Sequence, residues 1–456
     1  MKKITRLHPL HRIRIIVSLC ILLLFTAIFF LRPGISGSAA ALQTLPYKTQ
    51  LLPAILRSTA AGGLGAALLA AGILAGTLLF GRAYCSSLCP LGTMQDIVYR
   101  ISRRRRNNSY SSRSWKKVLR FSVLAASGGL ALAGFSILLG FIEPFAMFGR
   151  FFADTVRPLL NKAVIGVSPL FQGRGIYLEA EPLLLQTGSA LLGFGLVAAV
   201  LAAALLRGRW FCNTVCPAGS ILSLPAAVSL VKIRIDTEKC TRCGACERNC
   251  KAGCIDAAGM QVNNADCVMC FACLSACPYD AIHYRLPRPF QPSADRRGVL
   301  SFLGRGALLG GIYLLYPAMR AKGRDRLFRG LLLNPEGGPE NGRQSGPENT
   351  GGRPAAEAPA DISVVLPPGA GSVRRYFSRC VQCHVCVSKC PQQVLVPAAS
   401  ALGAAAAGKP VMDYGRSFCE FECNVCTQVC PAAALQPLPL AEKKRTSLGR
   451  AAIEED

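Results

Sequence analysis

The sequence predicts a membrane α-helical bundle of four spans, with a candidate fifth, joined to two small α+β cysteine-rich domains. Three observations lead there. The chain is 51% hydrophobic yet carries a formal charge of +27 over 456 residues. Those facts fit together because apolar runs alternate with arginine-rich loops, the pattern of a polytopic membrane protein with its basic loops inside. The 22 cysteines fall in clustered runs, which favours thiolate ligation over the disulfide scaffolds of small secreted domains. A Cys-x3-Cys-Pro motif occurs twice, each time at the end of an apolar run. Since the arginines flank spans rather than line a soluble fold, membrane lipid is the expected partner and nucleic acid is not.

Residues 1–231 form the expected membrane domain. Lys2, Lys3, Arg6, Arg12 and Arg14 precede the first apolar run, Ile15–Leu31. Its length suits an uncleaved anchor with its N-terminus inside; a signal peptide ending near Ser38-Ala39-Ala40 is the alternative. The second run, Thr59–Phe80, is rich in small residues that let helices approach closely in lipid. It ends in Gly81-Arg82-Ala83-Tyr84-Cys85, then Cys89-Pro90-Leu91-Gly92-Thr93. A basic loop from Arg103 to Arg120 follows, expected to be cytoplasmic. The third run, Phe121–Ile142, leads outward to Glu143-Pro144, past which lie Glu179 and Glu181; the fourth, Leu183–Leu206, returns to Gly208-Arg209-Trp210-Phe211-Cys212, then Cys216-Pro217-Ala218-Gly219-Ser220.

Both copies read Gly-Arg-x-aromatic-Cys-x3-Cys-Pro-x-Gly-(Ser/Thr), and a parallel duplication puts Cys85, Cys89, Cys212 and Cys216 at one membrane depth. Three roles stay open for them: a further iron-sulfur site, redox-active disulfides, or packing. Glu143 is a candidate proton acceptor if quinol is oxidised nearby, or a passive carboxylate at the water interface. Cys20, alone in the first run, is expected to be a packing residue.

Residues 232–290 hold Cys240-x2-Cys243-x2-Cys246-x3-Cys250 and Cys267-x2-Cys270-x2-Cys273-x3-Cys277-Pro278. Thiolates at every third residue wrap three corners of an iron-sulfur cube, and the fourth corner must be capped from elsewhere. By the crossed rule of two-cluster ferredoxins, Cys240, Cys243, Cys246 and Cys277 hold one 4Fe-4S cluster, and Cys267, Cys270, Cys273 and Cys250 the other. Zinc sites use pairs of cysteines and need no duplicated run of four. These residues, with Pro278-Tyr279-Asp280-Ala281-Ile282, resemble the bacterial two-cluster ferredoxin module. Lys251 departs from it where proline is expected, and the extra Cys254 reads as a buried thiol or a spare ligand.

Residues 291–320 contain Arg296-Arg297 ahead of a modestly apolar stretch, which resembles a Tat-type export signal; a fifth span or an interfacial helix is the alternative. Residues 321–365, rich in Pro, Gly, Glu and Asn, read as a flexible linker. Residues 366–440 form the second cysteine domain, and 441–456 a charged tail. The crossed rule assigns Cys380, Cys383, Cys386 and Cys430 to a third cluster, and Cys419, Cys423, Cys426 and Cys390 to a fourth. Cys380-Val381-Gln382-Cys383-His384 also satisfies the pattern for c-type haem attachment, which would leave Cys386 and Cys390 idle.

Four spans, two Cys-x3-Cys-Pro motifs and an eight-cysteine module resemble the NapH/MauN family of membrane ferredoxins over roughly the first 290 residues. The last domain, with its lead-in Leu366-Pro367-Pro368-Gly369-Ala370, resembles the NapG/MauM type. The resemblance implies a membrane-bound electron-transfer component of a bacterial inner membrane. Electrons would pass between the quinone pool or a cytoplasmic donor and a partner oxidoreductase through four 4Fe-4S clusters, a candidate quinol dehydrogenase role. The first ferredoxin domain would be cytoplasmic and the second, if exported, periplasmic. A maturation factor for a partner metalloenzyme and a redox sensor are the alternatives. No histidine falls in an apolar run, so haem b is not expected, and no dinucleotide fingerprint is present.

Overall fold

The computed structural model describes residues 7–31, 46–58, 63–103, 115–133, 135–172, 183, 185–286, 365–398 and 406–445. Ser38-Ala39-Ala40, most of the basic loop, Glu179, Glu181, the twin-arginine segment, all of the linker but its last residue and the end of the tail lie outside them.

Two helices among the described residues are long and apolar enough to cross a membrane, Pro9–Phe30 and Thr187–Arg207. At 1.5 Å per residue, 22 residues span about 33 Å, against a hydrocarbon core of about 30 Å. Leu64–Phe80 is apolar but only 17 residues long. The first helix starts six residues before its apolar run, so His11 and Arg14 belong to its first turns. Ile16, Leu23, Leu68, Leu191 and Leu206 point outward, as side chains facing lipid would.

The third expected span is not one helix. It divides into Trp115–Leu132 and Ile137–Ile142. The buried hydroxyl of Ser136 at the division lies 2.8 Å from the Phe377 carbonyl and 2.9 Å from that of Cys380. A contact to the second cysteine domain thus replaces one turn of helix. Pro144–Arg150 follows, then a π-helical turn, Phe151–Val156, and Arg157–Gln172. Within each Cys-x3-Cys-Pro motif the chain turns through a short helix that carries the first cysteine, Ala83–Ser87 or Trp210–Thr214, and then starts a new one at the motif's proline, Pro90–Arg103 or Pro217–Ala227. Proline suits that first position, where its missing N–H would have no partner anyway.

In the first cysteine domain β1 (Lys232–Ile235) pairs antiparallel with β4 (Ile282–Arg285), and β2 (Ile255–Asp256) with β3 (Gln261–Val262). The second has one antiparallel pair, β5 (Leu395–Pro397) with β6 (Pro410–Met412).

Both domains dock on helix ends, where the last four carbonyls lack intrahelical donors. For Leu64–Phe80 all four are accounted for. Gly81 N–H donates to Thr77, Leu230 N–H to Leu78, Val231 N–H to Leu79 and the Tyr284 hydroxyl to Phe80, each at 2.8–2.9 Å. The helix Pro9–Phe30 is gripped at both ends. Near its N-terminus, His11 Nδ1 lies 2.9 Å from Ser275 Oγ of the first domain. At its C-terminus, Lys389 Nζ of the second domain donates to the Ile28 carbonyl at 2.6 Å and also to Leu31.

Candidate metal centres

Three of the four predicted thiol sets each line a single small cavity: Cys240, Cys243, Cys246 and Cys277; Cys380, Cys383, Cys386 and Cys430; and Cys390, Cys419, Cys423 and Cys426. In the remaining set Cys273 lies in electrostatic range of Cys267, Cys270 and Cys250. Tight loops bring this about. Arg242, Met269, Phe271, Gln382 and His384, all between cysteines of a run, have left-handed backbone, which turns successive thiols to one side at a cost of order 1 kcal/mol each. Backbone N–H groups reach the sulfurs: Ala281 to Cys277 at 3.3 Å and Leu435 to Cys430 at 3.5 Å. Such bonds stabilise thiolate and tune cluster potential. Cys254 is a buried thiol, its sulfur 3.5 Å from that of Cys250.

The two Cys-x3-Cys-Pro motifs face each other about an approximate twofold axis. Arg82 Nη2 donates to the Cys212 carbonyl at 3.1 Å and lies 3.9 Å from Cys85 Sγ. Arg209 Nη1 donates to the Cys85 carbonyl at 3.1 Å and lies 3.7 Å from Cys212 Sγ. Each arginine therefore ties its own motif's sulfur to the other motif's backbone. The glycines keep the crossing open: a Cβ on Gly92 would stand 2.3 Å from the Cys85 carbonyl oxygen, and one on Gly219 2.2 Å from that of Cys212. Cys85, Cys89, Cys212 and Cys216 are all buried in one core with Val268 and Cys270 of the first cysteine domain.

The symmetry is broken by Asp96, buried on the helix after the first motif. Its carboxylate takes Arg209 Nε at 2.8 Å, Lys251 Nζ at 2.9 Å, and Arg14. One acid thus joins the first helix, the second motif and the first cysteine domain. Nothing in the spacing marks Asp96. The arginines, by contrast, stand inside the repeated Gly-Arg, which was the available signal.

Glu143 is 2% exposed, a buried cap rather than an interfacial carboxylate. Its side chain accepts from Ala146 N–H, and burial pushes the carboxyl up to about 7 against that hydrogen bond. It lies in electrostatic range of both Tyr84, next to Cys85, and Cys383 of the third set. Cys20 is exposed on the outer face of its helix, so it packs nothing inside. His384 is buried with Nδ1 2.6 Å from Asp154 Oδ2 and Nε2 2.8 Å from the Gly408 carbonyl. Both ring nitrogens are engaged in this arrangement, which speaks against the c-type haem alternative.

Residues 63–109 and 189–235, the two motif-bearing repeats, each match the model of a 4Fe-4S binding domain. Residues 233–256 match a second 4Fe-4S binding domain model. Those segments are similar to 4Fe-4S binding domains. It is 23% identical over 263 residues to the putative electron transport protein YccM of Escherichia coli, covering 57% of this chain and 66% of that one. It is 26% identical over 260 residues to protein NirI of Paracoccus denitrificans (55% and 33%), and 34% identical over 97 residues to the methylamine utilization ferredoxin-type protein MauM of Methylobacillus flagellatus (21% and 41%). These matches span between a third and two thirds of the relatives' own length. No solved structure matches the chain. The likeness to NapH/MauN-type polyferredoxins is borne out.

Proposed function

We propose that the protein carries electrons through the thickness of a bacterial inner membrane, between the quinone pool or a cytoplasmic donor on one side and a partner oxidoreductase on the other. In this reading residues 1–231 are the membrane domain and 232–290 and 366–440 hold two 4Fe-4S clusters each, in the crossed sets given above. Cys85, Cys89, Cys212 and Cys216 supply a further iron-sulfur site between them. A bound cluster would contribute one-electron chemistry, while the chain supplies thiolates, N–H to sulfur bonds and dry packing.

The observation that carries the reading is that the two cysteine domains grip opposite ends of one 22-residue helix. The paired motifs share a core with Cys270 at one end, and Glu143 lies in electrostatic range of Tyr84 and of Cys383 toward the other. Family models matched to both motif repeats favour the further site. The decisive experiment counts iron and sulfide in anaerobic wild-type protein and in a variant with those four cysteines changed to serine. A loss of one cluster's worth is expected, and unchanged stoichiometry would remove the further site. A topology reporter after Asp456 should read periplasmic while one at residue 290 reads cytoplasmic; the same side for both would end the cross-membrane proposal.

A further inference from the structure

A cavity of about 740 Å³ lies where the first helix, the helix Pro90–Arg103 and the first cysteine domain meet. That volume lies within the range of small-molecule sites. We propose that it binds the head group of a lipid quinone; the proposal rests on the electron-transfer reading and gives its lipid-soluble substrate an address.

The polar half of the cavity offers donors. Arg14, Arg100, Lys251 and His11 line it, and the one acid, Asp96, is already shared among Arg14, Arg209 and Lys251. The hydroxyls of Ser18 and Thr93 are committed to their own helices' carbonyls. Arg14 Nε is buried without a hydrogen-bond partner, an orphan that a ligand oxygen would satisfy. This half, rich in cationic donors, suits a ligand that accepts hydrogen bonds, as quinone carbonyls do. The other half is apolar. Ile15, Leu19, Ile97 and Ile101 line it, with Ile97 and Ile101 on the exposed side of their helix, so an isoprenoid tail can leave toward lipid.

A phospholipid phosphate also accepts only. What favours a quinone is the third wall, built from residues of the cluster loops. Asn249 and Lys251 flank Cys250, Ala272 precedes Cys273, and Ser275 and Ala276 lead into Cys277. The head group therefore sits against sequence neighbours of thiols from both predicted cluster sets of that domain. An anionic lipid has no use for such a neighbour.

The test uses full-length, cluster-loaded protein in phosphatidylcholine nanodiscs with a photoreactive azidoquinone, mapped by peptide mass spectrometry. Label is expected on the helices Pro9–Phe30 and Pro90–Arg103, competed by decylubiquinone. It should fall at least tenfold in Leu19→Trp and Ile101→Trp, which fill the apolar half, and severalfold in Arg100→Gln. Cluster signals in dithionite-reduced samples, read by electron paramagnetic resonance, should be the same in all variants. Label elsewhere, or undiminished in both tryptophan variants, would overturn the quinone site while leaving the electron-transfer reading intact. So would native mass spectrometry showing phosphatidylglycerol held in this cavity against excess decylubiquinone. Absent cluster signals in the wild type would overturn both.

Discussion

Arg209 and Asp96 form the contact on which the motif pair most depends, and a double-mutant cycle measures it. Arg209 is 1% exposed and makes two charge-assisted contacts to Asp96, at 2.8 and 2.6 Å, besides its bond to the Cys85 carbonyl. Breaking a buried ion pair from one side costs about 3–5 kcal/mol. Arg209→Gln should fall at the low end, about 3 kcal/mol, because Arg14 and Lys251 still neutralise Asp96. Asp96→Asn should cost more, about 5 kcal/mol, since it leaves three buried cations without an anion. In the double variant one of those cations is gone, so the combined loss should fall short of the sum by about 2–3 kcal/mol. The assay is equilibrium denaturation of solubilised, cluster-loaded protein followed through the helical signal. Additivity within about 0.5 kcal/mol would refute the ion-pair account.

Three further outcomes are expected. Gly92→Ala and Gly219→Ala should each lose about 1–3 kcal/mol or more, because the new Cβ meets a fixed carbonyl; Gly128→Ala, with nothing near its Cβ, should be neutral or stabilising in the same melts. Lys389→Met removes the donor from the Ile28 and Leu31 carbonyls; losing about 1–3 kcal/mol of docking should make the chain around residue 365 cleave faster in limited proteolysis, with iron content unchanged. Glu143, raised to about 7, keeps its proton in the folded protein after it would ionise in the unfolded one. Stability should therefore fall as pH rises from about 4.5 to 7, by about 3 kcal/mol in total, and level off above; Glu143→Gln should abolish that slope, and an unchanged slope would exclude this carboxyl as its source.

Three of the four thiol sets expected from spacing line one cavity each, because a loop's reach is a local property. Cys277 and Cys430 had to look outside their own runs for partners, and they line the cavities that the crossed rule assigns them. The repeat of Gly-Arg-x-aromatic-Cys was equally plain, though not the reason for it. That Arg82 and Arg209 exchange hydrogen bonds across the axis depends on how two distant segments meet. The third span failed for a related cause. Its hydropathy is continuous from Phe121 to Ile142, yet Ser136 has carbonyl partners 241 and 244 residues away that outweigh helix continuity. Asp96 and the His384 to Asp154 pair are single residues without periodicity, legible only once packing has assembled their partners. Cys20 could have gone to either face of its helix, and composition does not choose.

The doubly gripped helix Pro9–Phe30 acts as a caliper. Because an α-helix neither stretches nor shortens, the interval between its two jaws, Ser275 and Lys389, is written in a count of residues. Adding one residue between them would lengthen the rod by about 1.5 Å and swing one jaw round by about 100°. Lys389 would then point past its carbonyls, so this segment should tolerate exchange of its side chains far more readily than any change in their number.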